Sequence, residues 1–492
     1  MHRRAERITN ETQMNRRQFL AGTAAAAGCL AMGRSLRAAE DNSTRHRRPN
    51  FLFIMADDLS PGHFGYYGNR EARTPAIDAL AKTGVMFRTC WATPMCAPTR
   101  ALLVTGRYAC RTGIYHNALW VPKGESNPRR FASDHLTFAR VLKQHGYATA
   151  IAGKIMALGG GVDSPEVGFD EHCFHLGSGK LPGGAEFDGP YEGRHRIPNS
   201  KPVASRYWHP CVVRNGQGLK TKPEDFGEDV FADFLIDFMK RNKDKPFLAY
   251  FPMNLPHGIA GGGVPTTPLS GRPGKIRGGN MVECVQYIDA VVGRLIKALD
   301  ELQLRDNTIV FFTTDNADAG NGKTRATEQG ARVPMVVSAS RRLVRPRGAV
   351  DAMTDFADVF PTLLELARAK GPDGYELDGK SLAAYLAGRT DSHRDWIYSY
   401  IGTAAMIRDD RWLLEAVDPL GGHPQGRLYD CGNSRTPGSY RDVSQSKAPE
   451  AIEARKRLEQ ALARIPALDP SDPATKQALE TYKTAPFRHR LK

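Results

Sequence analysis

Two dipeptides in this sequence place hard oxygen donors at the ends of apolar runs: Asp57-Asp58 after Asn50–Met55, and Asp315-Asn316 after Asn307–Thr314. If both runs are strands ending at one edge of a sheet, three carboxylates and an amide converge. That donor set suits Ca²⁺ or Mg²⁺. An Asp pair after one strand is more often a turn or a helix cap; its recurrence after a second strand weakens that alternative without removing it. A second candidate is Cys96-Ala97-Pro98-Thr99-Arg100. Pro98 suits the first turn of a helix, where exposed backbone N–H groups favour an anion. Taken alone, a cysteine before a proline is more simply a small buried side chain.

Elements of a particular kind are needed to bring these residues together. Asn50–Met55 is apolar without alternation, as expected of a strand covered on both faces. The pattern then predicts a helix over Thr74–Thr83, a strand over Val85–Trp91 and a helix from about Pro98 to Thr105. Next come a helix over Leu136–His145, a strand over Ala148–Ala152, a helix over Val230–Arg241 and a strand over Pro246–Pro252. A long amphipathic helix over Met281–Leu302 precedes the strand Asn307–Thr314. Such alternation predicts an α/β fold with a mostly parallel, doubly wound sheet. The Gly/Pro-rich stretches Gly177–Gly218 and Gly258–Gly279 show no hydrophobic period; they are either substrate-facing loops or surface insertions. Helical patterns over Phe356–Ala367 and Pro449–Ile465 flank four short strand-like runs, Trp396–Tyr400, Ala404–Arg408, Trp412–Ala416 and Arg427–Tyr429. These predict a small antiparallel C-terminal subdomain.

The chain has 492 residues, 41% hydrophobic and 25% charged, which excludes collagenous, coiled-coil and largely disordered classes. Its formal charge is +15, but residues 1–39 carry seven arginines against two glutamates, contributing +5 of it. The rest is dispersed without a nucleic-acid-binding motif, so the expected partner is an anionic substrate and not nucleic acid. Asn15-Arg16-Arg17-Gln18-Phe19-Leu20, the apolar run Ala21–Met32 and Ala38-Ala39 read as a twin-arginine export signal over 1–39, with a possible start at Met14. The expectation is export to the periplasm or beyond, a lipid anchor at Cys29 being the lesser alternative. Eight scattered cysteines form no Cys-x-x-Cys pair; disulfides and reduced thiols stay equally open.

Pro94–Gly106, which contains Cys96-Ala97-Pro98-Thr99-Arg100, matches the first signature of the sulfatase family throughout, and Gly146–Lys154 resembles its second. The resemblance continues through Asp57-Asp58, Leu255-Pro256-His257, Thr314-Asp315-Asn316, and Lys323 followed by Glu328–Pro334. It extends to Asp378–Leu382 and Leu428-Tyr429-Asp430. It implies an alkaline-phosphatase-like α/β/α sandwich, with a catalytic domain over 40–386 and a C-terminal α+β subdomain over 387–492. It further implies a calcium ion, in preference to Mg²⁺, and oxidation of Cys96 to formylglycine by a maturation enzyme. Asp57, Asp58, Asp315, Asn316 and the modified residue 96 would hold the ion, and Arg100 would orient the aldehyde hydrate. Lys154, His257 and Lys323 would contact sulfate oxygens, with Lys323 placed to protonate or polarise the leaving oxygen and His257 sharing that role. The aldehyde matters because its hydrate has two hydroxyls: one attacks sulfur, and the other then drives release of sulfate.

Two departures stand out. Family members commonly carry a histidine two positions after the signature lysine, where this chain has Met156; His116, His172 and His175 are the candidates to replace it. Ala317 stands where glycine is usual. The expected function is hydrolysis of sulfate esters, of a sulfated carbohydrate in particular, because basic balance and long Gly/Pro loops suit a polyanionic, hydroxyl-rich substrate. The alternatives are hydrolysis of phosphate mono- or diesters by the same nucleophile, and, from Met156, a sulfated-glycan binder that has lost turnover. Expected partners are a sulfated small molecule or glycan, the maturation enzyme and the twin-arginine export machinery.

Overall fold

The computed structural model describes residues 47–121, 135–155, 167–194, 201–260 and 262–484. The export-type segment 1–39 and Met156 lie outside them. Four strands precede the first Gly/Pro-rich stretch: β1 (Asn50–Ala56), β2 (Val85–Trp91), β3 (Ala148–Gly153) and β4 (Glu171–His175). Within that stretch β5 (Tyr191–Arg194) and β6 (Pro202–Ala204) form a separate hairpin, followed by β7 (Val212–Arg214) and β8 (Gln217–Leu219). Then come β9 (Phe247–Pro252), β10 (Thr308–Thr314), β11 (Arg332–Ser338) and β12 (Gly348–Asp355). Among the described residues the main sheet has ten strands in the order β12-β2-β11-β10-β1-β9-β3-β4-β7-β8, and β11 and β7 run against the rest.

Every residue of β1 is buried, which is why the run is apolar without alternation. The pleat still sorts its side chains. Phe51, Phe53 and Met55 enter one core, Leu52 and Ile54 the other. The first core is closed by the helices α2 (Cys96–Thr105), α3 (Phe138–Gln144) and α6 (Val359–Ala367). The second is closed by α1 (Pro75–Thr83), α4 (Gly227–Arg241) and α5 (Met281–Glu301). The sandwich is therefore three layers, helix, sheet, helix.

Outside the Gly/Pro-rich stretch, the main-sheet strands β4, β11 and β12 have no counterpart in the pattern expected from sequence. In β11, Pro334 interrupts the run, and it is accommodated at a register shift against β2 between Val333 and Met335. Its carbonyl accepts a bond from Thr313 Oγ1 at 2.6 Å. β12 is an edge strand whose first half is half exposed, so it lacks an apolar run. The stretch 177–218 holds β5, β6 and β7, each too short to display a period.

A second sheet follows: β13 (Ile397–Ile401), β14 (Ala404–Arg408), β15 (Trp412–Val417), β16 (Arg427–Asp430) and β17 (Arg441–Asp442), antiparallel in chain order. Ile407, Trp412, Leu414 and Leu428 pack against Ala451, Ala454 and Leu458 of α7 (Pro449–Leu462). A further helix, α8 (Pro473–Lys483), is unheralded in the sequence pattern. The two sheets meet through Trp91, Ala331, Ile397 and Met406, and Ser399 Oγ donates to Ala92 O at 2.6 Å. The Asp378-Gly379 turn is a structural clamp: Asp378 accepts from Tyr108 N and Arg111 Nε, both at 2.8 Å. Cys90, Cys173, Cys211, Cys284 and Cys431 carry free thiols. No helix among the described residues is long and apolar enough to cross a membrane.

Candidate active site

Strands β10, β1, β9 and β3 are neighbours and parallel, so their C-terminal ends form one rim. Ala56 pairs with Thr314, which brings Asp57-Asp58 beside Asp315-Asn316. Lys154 leaves the end of β3 and His257 the loop after β9. Cys96 comes from the adjacent layer as the first residue of α2, two positions earlier than expected from sequence. Pro98 remains acceptable as the third helical residue, since its missing N–H would have no intrahelical partner there.

The helix start is held from outside. Ala97 N donates to Asn117 Oδ1 at 2.9 Å, and Thr99 Oγ1 accepts from Thr93 N at 3.0 Å and donates to Thr93 O at 2.9 Å. Cys96 Sγ then lies 3.7 Å from Asp57 Oδ1, 3.8 Å from Asp58 Oδ1 and 3.6 Å from Lys154 Nζ. Asp57, Asp58, Cys96 and Asp315 each offer an atom within 4.8 Å of the others; so do Asp57, Cys96 and His257.

Cations bracket the carboxylates. Lys154 pairs with Asp57, and Lys323 donates to both oxygens of Asp58 at 2.5 Å. Arg100 is 1% exposed; it donates to Asp315 Oδ2 through Nη2 at 2.8 Å and to the Lys154 carbonyl through Nη1 at 3.2 Å. Its hydrogen bonds thus orient Asp315 and Lys154 and do not go to residue 96. Three carboxylates face three cations, so their charges cancel when all three are ionised, and a divalent cation would leave an excess of positive charge suited to an anion.

Burial, reinforced by Asp315, pushes the Asp57 carboxyl up to about 7 against the pull of Lys154 and Arg100. Burial also opposes ionisation of Asp58, but the Lys323 ammonium outweighs it and holds that carboxyl well below the usual range. Burial, with Asp315, raises the Cys96 thiol, so the unmodified side chain is not a ready thiolate. His257 is pushed well below its ordinary value by burial and by Lys154. The donor set fits a hard divalent cation: besides the three carboxylates, Asn316 Oδ1 is buried without a hydrogen-bond partner while its amide nitrogen donates to Asp58 Oδ1 at 2.7 Å.

The described bonds of the three histidines suggested in place of position 156 go outside this cluster. His116 Nδ1 accepts from Ala118 N at 3.1 Å, and His172 Nε2 from Gly216 N at 2.9 Å. His175 Nε2 donates to Ala204 O at 2.9 Å. Two buried groups that sequence reasoning did not single out flank the site. Glu228, at the start of α4, accepts from Asn254 N and Leu255 N at 2.8 and 2.9 Å and so shapes the loop bearing His257. Arg206 lies with Nη1 3.2 Å from His257 Nδ1. Both sit among glycine- and proline-rich or helical segments with no local signature of their role.

The profile of the family described as Sulfatase matches residues 49–369. Steryl-sulfatase of Mus musculus is 29% identical over 447 residues, spanning 74% of this chain and 69% of that protein. N-acetylgalactosamine-6-O-sulfatase of Bacteroides thetaiotaomicron is 27% identical over 516 residues, spanning 88% and 96%. Among solved structures, Ps i-CgsB in complex with k-i-k-neocarrahexaose superposes with a TM-score of 0.67 at 24% identity, covering 90% of this chain and 99% of that one. The chain belongs to the sulfatase family and is a sulfuric ester hydrolase.

Proposed function

We propose that this protein removes sulfate from a sulfated carbohydrate, with a formylglycine derived from Cys96 as nucleophile and a divalent cation, Ca²⁺ in preference to Mg²⁺, as its aid. The observation that carries the reading is the position of residue 96: it starts α2 and lies within 4 Å of Asp57, Asp58 and Lys154. Asp57, Asp58, Asp315, Asn316 and the modified residue 96 would hold the cation. Bound there, it would neutralise charge on sulfate oxygens and lower the pKa of the attacking hydroxyl.

The chain's own groups supply the rest. One hydroxyl of the hydrated aldehyde attacks sulfur, and the sulfur–ester oxygen bond breaks with its electron pair leaving on the alcohol oxygen. Lys323 or His257 protonates that oxygen. Loss of the proton from the second hydroxyl restores the aldehyde and expels sulfate. Lys154 and His257 hold sulfate oxygens, and Arg100 fixes Asp315 and the Lys154 backbone. A raised thiol pKa at Cys96 supports the need for oxidation, since the bare thiol is a poor nucleophile here. The sulfated-glycan assignment is supported by the positive excess the loaded site would carry and by the Bacteroides relative being an N-acetylgalactosamine-6-O-sulfatase. Export by the twin-arginine route, to the periplasm or beyond, belongs to the same proposal and rests on Asn15–Leu20.

The test is peptide mass spectrometry of protein made in cells with maturation machinery, paired with metal analysis. The expected result is a residue-96 peptide carrying CHO in place of CH₂SH, and calcium that is lost, with activity, on chelation. A fully active protein with an intact Cys96 thiol would overturn the reading.

A further inference from the structure

The groups that hold His257 come from segments with no sequence signature. Glu192 of β5 is 2% exposed and Arg206 is 6% exposed. Glu192 Oε1 accepts from Arg206 N at 2.9 Å and from Arg206 Nε at 3.0 Å, and Oε2 accepts from Ala260 N at 3.3 Å. Arg277 donates to the carbonyls of Glu192 and Ala260, closing the two Gly/Pro-rich stretches on each other. The guanidinium is thereby fixed with Nη1 3.2 Å from His257 Nδ1. Tyr207 OH donates to His257 O at 2.5 Å, so backbone and ring are both held.

The same Nδ1 lies 2.9 Å from Gly258 O. One ring nitrogen cannot serve both neighbours: it either accepts from Arg206 with its lone pair or donates an N–H to Gly258. Arginine does not give up its proton, and a charge-assisted bond in a buried site outweighs a neutral one. The opposite nitrogen, Nε2, is 3.9 Å from Asp58 Oδ2, on the side of the anion pocket. A tetrahedral anion there is served by a donor and not by a second lone pair. Lys154, Lys323 and Asp58 are the other charged groups around the ring.

We propose that Arg206 is a positioning residue: by donating to Nδ1 it holds His257 as the Nε2–H tautomer, a hydrogen-bond donor to the sulfate group. This deepens the functional reading above and rests on it. With its single proton on Nε2, the ring would become an imidazolate if it gave that proton away. His257 therefore binds the anion and does not protonate the leaving oxygen, which leaves that role to Lys323.

The experiment is a double-mutant cycle on matured protein: wild type, Arg206→Met, His257→Ala and the pair, assayed on aryl sulfates whose phenols differ in acidity. Arg206→Met should lower kcat/KM by about ten- to a hundredfold, by the same factor for every phenol. The double variant should match His257→Ala to within about twofold, because Arg206 acts through the ring. Losses that multiply, or an Arg206→Met loss that grows as the phenol becomes less acidic, would overturn the proposal. Arg206→Lys, which keeps a cation but loses the fork to Glu192, goes through the same cycle under the same criterion, so misfolding of the Met variant does not remove the test. Wild-type protein that carries formylglycine yet turns over no aryl sulfate would defeat the reading of the site itself, and would show before any variant is made.

Discussion

At the scale of single residues, the site is a set of charges that compensate one another, and the groups that shape it are buried carboxyls of opposite behaviour. Glu228 is the plainest case. Burial pushes it up to about 8 from an ordinary 4.5, despite the N–H groups of Asn254 and Leu255 that favour its ionised form. A carboxyl with a raised folded-state pKa binds its proton more tightly in the native than in the unfolded chain. Its contribution to stability is therefore complete below about 4.5 and is lost as pH rises toward about 8. Glutamine keeps the acceptor oxygen without the charge. We predict that the Tm of wild type falls relative to that of the Glu228→Gln variant between pH 5 and 8; parallel Tm curves would show that Glu228 does not titrate in this window. The signature cysteine, lysines and carboxylates were legible in the sequence because each lies in a contiguous motif. Glu228 and Arg206 were not, because each is held by partners distant in sequence, the N–H groups of Asn254 and Leu255 for one and Glu192 for the other, and leaves no local pattern.

At the scale of elements, function depends on four strand ends sharing one rim, and on close approach between strands. Gly153, the last residue of β3, has φ +113, and a Cβ there would lie 2.1 Å from Pro252 O of the neighbouring β9. Both the backbone conformation and the space require glycine. The next residue is Lys154, whose N–H donates to Pro252 O at 2.6 Å. Gly153→Ala should cost about 2–4 kcal/mol of stability in urea unfolding and abolish turnover by displacing Lys154. Wild-type kinetics in this variant would show that the β3–β9 contact does not set the lysine's position. The strands around this rim were readable as uniform apolar runs. Others were not: β11, which pairs with β10, carries Pro334 at a bulge, and β5 to β8 are three or four residues long, too short for a period to register.

At the scale of the whole molecule, the antiparallel sheet is tied to the main body by a buried ion pair as well as by packing. Arg408 of β14 is fully buried and donates through Nη1 to both oxygens of Glu328 at 2.7 Å, and Trp91 Nε1 donates to Glu328 Oε1 at 3.2 Å. Removing one partner strands the other charge. Arg408→Met should destabilise by about 3–5 kcal/mol, read by thermal unfolding, and adding Glu328→Gln should recover part of it; no recovery would mean the loss comes from packing alone. Glu328 sits at the foot of the loop that carries Lys323, so this pair links the second sheet to the catalytic rim. That linkage was invisible in sequence, although the Glu328–Pro334 run itself was recognised.

Attack on sulfate esters by residue 96 as formylglycine is read from kcat/KM for 4-nitrophenyl sulfate and 4-nitrophenyl phosphate, using matured protein and its Cys96→Ala variant. The sulfate should be the better substrate, and the variant should be inactive on it. A strong preference for phosphate, or sulfate turnover undiminished in Cys96→Ala, would rule out that role for residue 96.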